Sequence, residues 1–361
     1  MLEGEREPKR HKAEPDGDGP EDAHADDEVI EYTREEIKQF MDDGPEEIKH
    51  AALTKGKASD KKFVLRGIMR GKPVLVKKFF TGKPDIFTAY MVRSIHWFFL
   101  TFTECFIRLT LSSNQNYIWH KNEKLLLEDK RLAASGSVPK LLGFSSTGED
   151  HRATRRHYLI MEDLPNSCEE ATRDAKWGKL LKILNDTVHA LNIIHKEQHA
   201  HLNVRPTSIM FDTYGNAKLY NFGAVKGGRI IGTTPGYQAP NLQTEWKQVY
   251  KRSAAVKMEK LQKIDIYALG VTMLQLIMKV DDDRVKMEST DEGKKFLTLI
   301  NRKRLQNQHL VAPEYRNTGC NHDDAVHITN FAMQCINDNS DARPTIDEVV
   351  RTLGNLKVTE T

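Results

Sequence analysis

The chain has 361 residues, of which 39% are hydrophobic and 29% charged, with a formal net charge of +3. That length accommodates a two-lobed globular unit plus a tail, and the composition is that of a soluble globular protein. So small a charge excess gives no basis for nucleic-acid binding.

Residues 1–35 form the first segment. Between 13 and 31 there are nine Asp/Glu and no Lys or Arg, too little apolar surface to offset the entropy of ordering, so an acidic disordered tail is expected. The run Pro8-Lys9-Arg10-His11-Lys12 reads as solvated charge in that tail rather than as a nuclear-import signal. The charged start argues against a signal peptide, and Leu2 after Met1 excludes myristoylation. Cys105, Cys168, Cys320 and Cys335 are far apart without C-x-x-C spacing, which suits a reducing compartment.

A strand-rich segment is expected over 36–165. Phe63-Val64-Leu65 and Val74-Leu75-Val76, with Gly67 and Gly71 as punctuation, predict two antiparallel strands. Val138–Phe144, with Pro139 at its start, and Tyr158–Met161 predict further strands of the same sheet. Residues 94–111 have the length of a bilayer span, but His96, Glu104 and Arg108 within them make spanning costly, so no transmembrane segment is expected.

From 166 to 361 the pattern becomes helical. Trp177, Leu180, Leu181, Leu184, Val188, Leu191 and Ile194 recur at helical spacing over 177–195. Further helices are predicted at 262–279, 323–335 and 345–356. A strand-rich first half and a helical second half make an α+β arrangement with segregated lobes.

Residues 201–223, HLNVRPTSIMFDTYGNAKLYNFG, have the layout of a phosphotransfer centre without its charged groups. A kinase catalytic loop reads H-R-D-L-x-x-x-N and is followed by D-F-G. Here the base position is Asn203 and the two metal-binding positions are Ser208 and Asn221. Transfer needs a carboxylate near the substrate hydroxyl and anionic ligands that hold Mg²⁺ against the phosphates. Asn203 cannot take a proton, and Asn221 offers a metal only an uncharged oxygen.

Other landmarks occur in matching order. Val64–Gly67, Gly71 and Val74–Lys77 resemble V-Y-K-G…G…V-A-V-K; Tyr158–Pro165 resembles a hinge; Gly232–Pro240 resembles the end of an activation segment. Asp265–Val271 and Cys335–Leu356, with Arg343-Pro344-Thr345, resemble the later helices. From about residue 50 to 357 the chain therefore resembles a eukaryotic protein kinase of the plant receptor-like kinase and Pelle group, in a degenerate form.

That resemblance implies a bilobal kinase-like fold. It places Lys77 at the α- and β-phosphates, Glu123 as its helix partner, Met161 at the gatekeeper and Glu162–Leu164 along the adenine edge. Lys57, Ser59 and Lys62 stand where the phosphate-covering loop has glycines, and side chains there resist the backbone geometry such a loop needs. His201 and Phe222 are retained as packing residues. Asn241 replaces the Glu that pairs with the position of Arg343, leaving Arg343 to find another acceptor. Leu202 replaces the Arg that clasps a phosphorylated activation segment, and AVKGGRII, between Gly223 and Gly232, contains no Ser, Thr or Tyr.

Lys77 and Glu123 are 46 positions apart, about twice the family's spacing. The excess lies at 92–121, open to three readings: an added interaction helix, an exposed apolar liability, or the product of a retained intron. The resemblance implies a pseudokinase serving as scaffold, adaptor or decoy in plant signalling or immunity. Its implied partners are active receptor-like kinases or nucleotide-binding leucine-rich-repeat immune receptors, in the cytoplasm or, through partners, at the plasma-membrane periphery. Two alternatives stay open: a weak atypical Ser/Thr kinase drawing a carboxylate from Asp212, Glu197 or the tail, and a sensor binding ATP without Mg²⁺.

Overall fold

The computed structural model describes residues 29–47, 63–82, 120–147, 154–222, 225–226, 229–230, 236–240, 254–280 and 309–356. The possible insertion at 92–121 lies almost wholly outside them, as do Lys57, Ser59, Lys62, Gly223 and Asn241.

The chain enters through β1 (Ile30–Glu31), which pairs in parallel with a later strand, and α1 (Arg34–Asp42). Thr33 and Glu36 form a reciprocal capping box that starts this helix. The order seen at 29–35 corrects the expected extent of the disordered tail. The correction has a clear origin: Tyr32, Ile37 and Phe40 are buried, and they supply apolar area that the acidic residues before them lack.

A six-stranded sheet follows, with β2 (Glu46–Glu47), β3 (Phe63–Met69), β4 (Lys72–Gly82), β5 (Leu141–Thr147) and β6 (Thr154–Glu162) in the order β1-β5-β6-β4-β3-β2. The hairpin of β3 and β4 turns at Arg70 and Gly71, both with positive φ. The strand expected at Val138 begins at Leu141 instead, leaving Pro139 outside the ladder where its missing N–H costs nothing. Strand alternation splits β4 between two cores. Val74 and Val76 join Ile37, Phe40 and Ile160 beneath α1, whereas Leu75 and Phe79 join Val64, Leu159 and Met161 on the other face. Gly143 is required where β1 crosses β5, because a Cβ there would lie 2.3 Å from the Ile30 carbonyl oxygen.

Residues 120–127 are helical (α2), and α3 (Lys130–Ala134) is capped by Asp129. Beyond the hinge, β7 (Asn166–Ser167) and α4 (Cys168–Arg173) lead to α5 (Trp177–Lys196), the first long helix of the second lobe. The small strands β8 (Ile209–Phe211) and β9 (Ala217–Leu219) join β7 in a separate sheet. Two short paired strands follow, β10 (Val225–Lys226) and β11 (Arg229–Ile230).

Then come α6 (Ala254–Met278), α7 (Pro313–Arg316), α8 (His322–Cys335) and α9 (Ile346–Gly354). Helix α6 starts earlier than the apolar pattern indicated. Its stretch Met258–Met278 is long and apolar enough to cross a membrane, but it is mostly buried and forms the core of this lobe. A Cβ at Gly270 would approach Cys335 to 2.6 Å, so this glycine permits the tight crossing of α6 and α8.

Candidate functional site

Lys77 lies in the middle of β4, on the face shared by Leu75 and Phe79, and is fully buried. Its Nζ donates to Glu123 Oε1 at 2.7 Å, to Glu123 Oε2 at 2.5 Å and to Asn221 Oδ1 at 2.8 Å. An ammonium has three protons, so three acceptors account for all of them. Burial holds the Lys77 ammonium below its ordinary value, and the Glu123 carboxylate works against that shift.

Glu123 is presented by α2, which histidines fasten to the sheet. His120, one turn earlier, packs its ring edge-on to Phe79 at 5.3 Å and against His157 at 4.8 Å. Burial drives His120 down to about 3, with His157 and Lys124 acting in the same direction.

The loop after α5 is pinned from below by Asp265 of α6. The Asp265 carboxylate accepts the backbone N–H groups of His201 and Leu202, at 2.7 and 2.6 Å, and meets His195 Nε2 at 2.9 Å. These bonds hold Leu202 at φ +60°, a left-handed conformation unusual for a leucine. His201 Nε2 lies 3.1 Å from the Tyr220 carbonyl oxygen, and its Nδ1 accepts from Asn203 N. Those two contacts define a neutral ring protonated at Nε2. Burial lowers its pKa to about 4. The ring packs on Phe222 at 4.7 Å, linking the loop to the chain that carries Asn221.

Asn203, Ser208 and Asn221 are thus brought to one place, and their side chains are substantially committed. The Ser208 hydroxyl donates to the Asn203 carbonyl oxygen at 2.7 Å, back into its own loop. Asn221, at φ +76°, gives its amide oxygen to Lys77. Mg²⁺ in phosphotransfer sites is held through carboxylates in near-octahedral oxygen geometry. One hydroxyl turned away, one amide oxygen already occupied and a second neutral amide do not fit that ion. Among the described residues no group of three or more His, Cys, Asp or Glu could hold a metal.

The two alternative carboxylates are used elsewhere. Asp212 Oδ1 accepts Tyr214 N and Asn216 N, both at 2.9 Å, and so caps a turn. Glu197 meets Arg131 at 3.0 Å. Met161 and Leu164 are fully buried along the hinge. The Glu162 carboxylate accepts from Lys140 N and Lys218 Nζ, at 2.8 and 2.6 Å. Next to it, Asp163 takes a bidentate contact from Arg66 of β3, both bonds at 2.7 Å. The hinge is therefore braced by its side chains to β3, to β9 and to the start of β5.

Arg343 found other acceptors, as its lost partner required. Its Nε and Nη1 donate to the carbonyls of Asn337 and Lys263 at 2.8 and 2.9 Å, and its guanidinium lies over the Tyr267 ring. Sequence reasoning missed Arg205, a cation two residues past the base position and almost fully buried. Its charge bears on the Tyr220 hydroxyl. The available signal was a basic residue inside an otherwise neutral loop.

The geometry of a strand lysine paired to a helix glutamate, over a loop pinned by a buried aspartate, agrees with comparison to known proteins. The model of the protein kinase domain matches residues 112–353, about two thirds of the chain. The chain belongs to the protein kinase family. Similar curated proteins include the "Probable serine/threonine-protein kinase PBL4" of Arabidopsis thaliana, 25% identical over 62% of this chain and 54% of that protein. The "Probable LRR receptor-like serine/threonine-protein kinase RPK1" of the same plant is 25% identical over 56% of this chain and 37% of its own length. "Cysteine-rich receptor-like protein kinase 38", also from Arabidopsis thaliana, is 24% identical over 69% and 37%. The kinase-family chain is thus related to plant receptor-like kinases, and the matches span about half or less of these relatives' length.

Proposed function

We propose that this chain is a catalytically impaired protein kinase, a binding module that offers a kinase-shaped surface to other signalling proteins. The observation that carries this reading is the content of the three chemical positions: Asn203, Ser208 and Asn221 supply no carboxylate. The hydroxyl of Ser208 and the amide oxygen of Asn221 are engaged by internal partners. A general base is worth about 10²–10⁴ in rate, and the charge stabilisation given by Mg²⁺ is lost in addition.

The features that persist belong to packing. The Lys77–Glu123 pair, the His201–Phe222 contact and the Asp265 anchor maintain a kinase-like interior without a base. A fold kept while its charged chemistry is lost supports a role in binding. Similarity to receptor-like kinases supports active kinases of that kind as partners, in the cytoplasm or beneath the plasma membrane. Nucleotide-binding leucine-rich-repeat receptors are the second partner class.

The test is a radiolabel assay of the full chain with ATP and Mg²⁺, on itself and on a generic protein substrate. Incorporation is expected at background. Mg²⁺-dependent incorporation abolished by Lys77→Met would overturn the reading.

A further inference from the structure

The sheet face beneath α1 has a core of its own, apart from the one that runs through both lobes. Leu65, Met69, Val74, Val76, Tyr158 and Ile160 supply its floor, and Tyr32, Ile37 and Phe40 supply its cover. The floor is notched for that cover. A Cβ at Gly67 would lie 2.7 Å from the Phe40 ring, and one at Gly143 would lie 2.5 Å from the Tyr32 ring. Each aromatic therefore sits where the sheet lacks a side chain. Arg70 clasps the groove: its Nε donates to Glu36 Oε1 at 2.7 Å, and its guanidinium lies 4.7 Å from the Tyr32 ring centroid.

The cover is a separable piece. Helix α1 has nine residues, below the roughly 12–15 that an isolated helix needs in water, so it depends on being seated. β1 adds only two residues of ladder to β5, and the Glu36–Arg70 pair is partly exposed, where ion pairs hold weakly. The cover joins the sheet through Asp43, Gly44 and Pro45, with Gly44 exposed and at φ +70°. When the cover lifts, an apolar face is bared, and faces of that kind are filled by association. What fits the notches is the sequence of residues 29–42 itself, and every second copy of this chain carries it.

We propose that two copies of this chain associate by exchanging residues 29–42, each α1 lying in the other copy's groove with its Glu36 on the other copy's Arg70. Exchange of an identical element is a low-cost route to a symmetric dimer, because each contact made between copies is one already made within a copy. Three extended hinge residues reach about 10 Å, which sets the two grooves side by side. The exchange does not depend on whether the chain transfers phosphate.

The experiment is sedimentation velocity of the full chain over a series of concentrations, with three variants. The unaltered chain should be a mixture of monomer and dimer, the dimer rising with concentration. Gly44→Ala puts a side chain on the positive-φ hinge, where nothing lies within 4 Å to clash with it, so it penalises the turned-back hinge. The dimer dissociation constant should fall roughly tenfold for each of the two hinges opened. Glu36→Arg and Arg70→Glu each set like charges together, in the closed single chain and in the homodimer alike. Alone, neither should dimerise more than the unaltered chain. Mixed in equal amounts under two fluorescent labels, they should form heterodimers, roughly tenfold above the statistical proportion, because exchange pairs opposite charges in both grooves.

Absence of dimer from both the unaltered and the Gly44→Ala chains would overturn the proposal. So would dimers that mix the two charge variants in statistical proportion, since association would then run through another surface. The charge variants alter exposed or partly exposed side chains, so the mixing result decides the question even if Gly44→Ala does not fold.

Discussion

Breaking the Lys77–Glu123 pair singly and jointly should give opposite results. Both side chains are fully buried, and the closer oxygen is 2.5 Å from Nζ. At that distance and an effective dielectric of about 20 the attraction is about 6–7 kcal/mol. Taking each ion out of water costs several kcal/mol, so the two effects nearly cancel. Glu123→Ala leaves the Lys77 ammonium with Asn221 Oδ1 as the survivor of its three acceptors. The expected cost is about 3–5 kcal/mol, and Lys77→Ala should cost about as much by stranding a buried carboxylate. Replacing both by apolar residues, Lys77→Met with Glu123→Leu, should be neutral or should stabilise by up to about 4 kcal/mol. Urea denaturation of the four proteins gives the free energies, provided that the m values agree. If the double variant lost the sum of the two single losses, the pair would not be coupled. A change below about 1 kcal/mol for Glu123→Ala would mean that water reaches the ammonium, refuting the buried-pair argument. The double variant is also the proper control for partner capture, because Lys77→Ala alone disturbs the fold as well as the cleft.

Stability should fall in acid because His120 and His201 are held uncharged, near 3 and 4 against an ordinary 6.5. The unfolded chain binds these protons first, so stability is full above about pH 6.5. It then declines as pH falls toward the folded values, by up to about 1.4 kcal/mol per pH unit for each histidine. His120→Phe should remove about half of that dependence in urea unfolding between roughly pH 6 and 4.5, and an unchanged slope would exclude His120 as a cause. Gly143→Ala places a methyl 2.3 Å from the Ile30 carbonyl and 2.5 Å from the Tyr32 ring. It should release β1 from the sheet edge and cost about 1–3 kcal/mol, read as faster limited proteolysis within 29–47; unaltered cleavage would refute it. Restoring Asn203→Asp, Ser208→Asn and Asn221→Asp together should not recover normal transfer. Lys57, Ser59 and Lys62 remain, and an amide at the fully buried Ser208 has to displace the loop its hydroxyl now ties down. Robust Mg²⁺-dependent transfer by that triple variant would confine the defect to three side chains.

The lobes, most strands and the long helices were legible in the chain itself. Period-two runs such as Val74–Val76 and the spacing over Trp177–Ile194 follow from which face must be buried, a local property of sequence. The loss of carboxylates at Asn203 and Asn221 was equally legible, since chemical identity requires no coordinates. Other features depended on residues far apart in the chain. The meeting of Lys77 with Glu123, 46 positions away, follows from packing a helix on the sheet within the first lobe, and its meeting with Asn221, 144 away, from packing the two lobes together. The docking of Tyr32 and Phe40 beneath the sheet required the space at Gly143 and Gly67, which composition does not reveal. The pairing of Glu162 with Lys218, and of Arg343 with backbone carbonyls, was likewise decided by where partners lay. A buried polar group takes whichever partner the fold brings within about 3 Å, and only the tertiary structure determines which one that is.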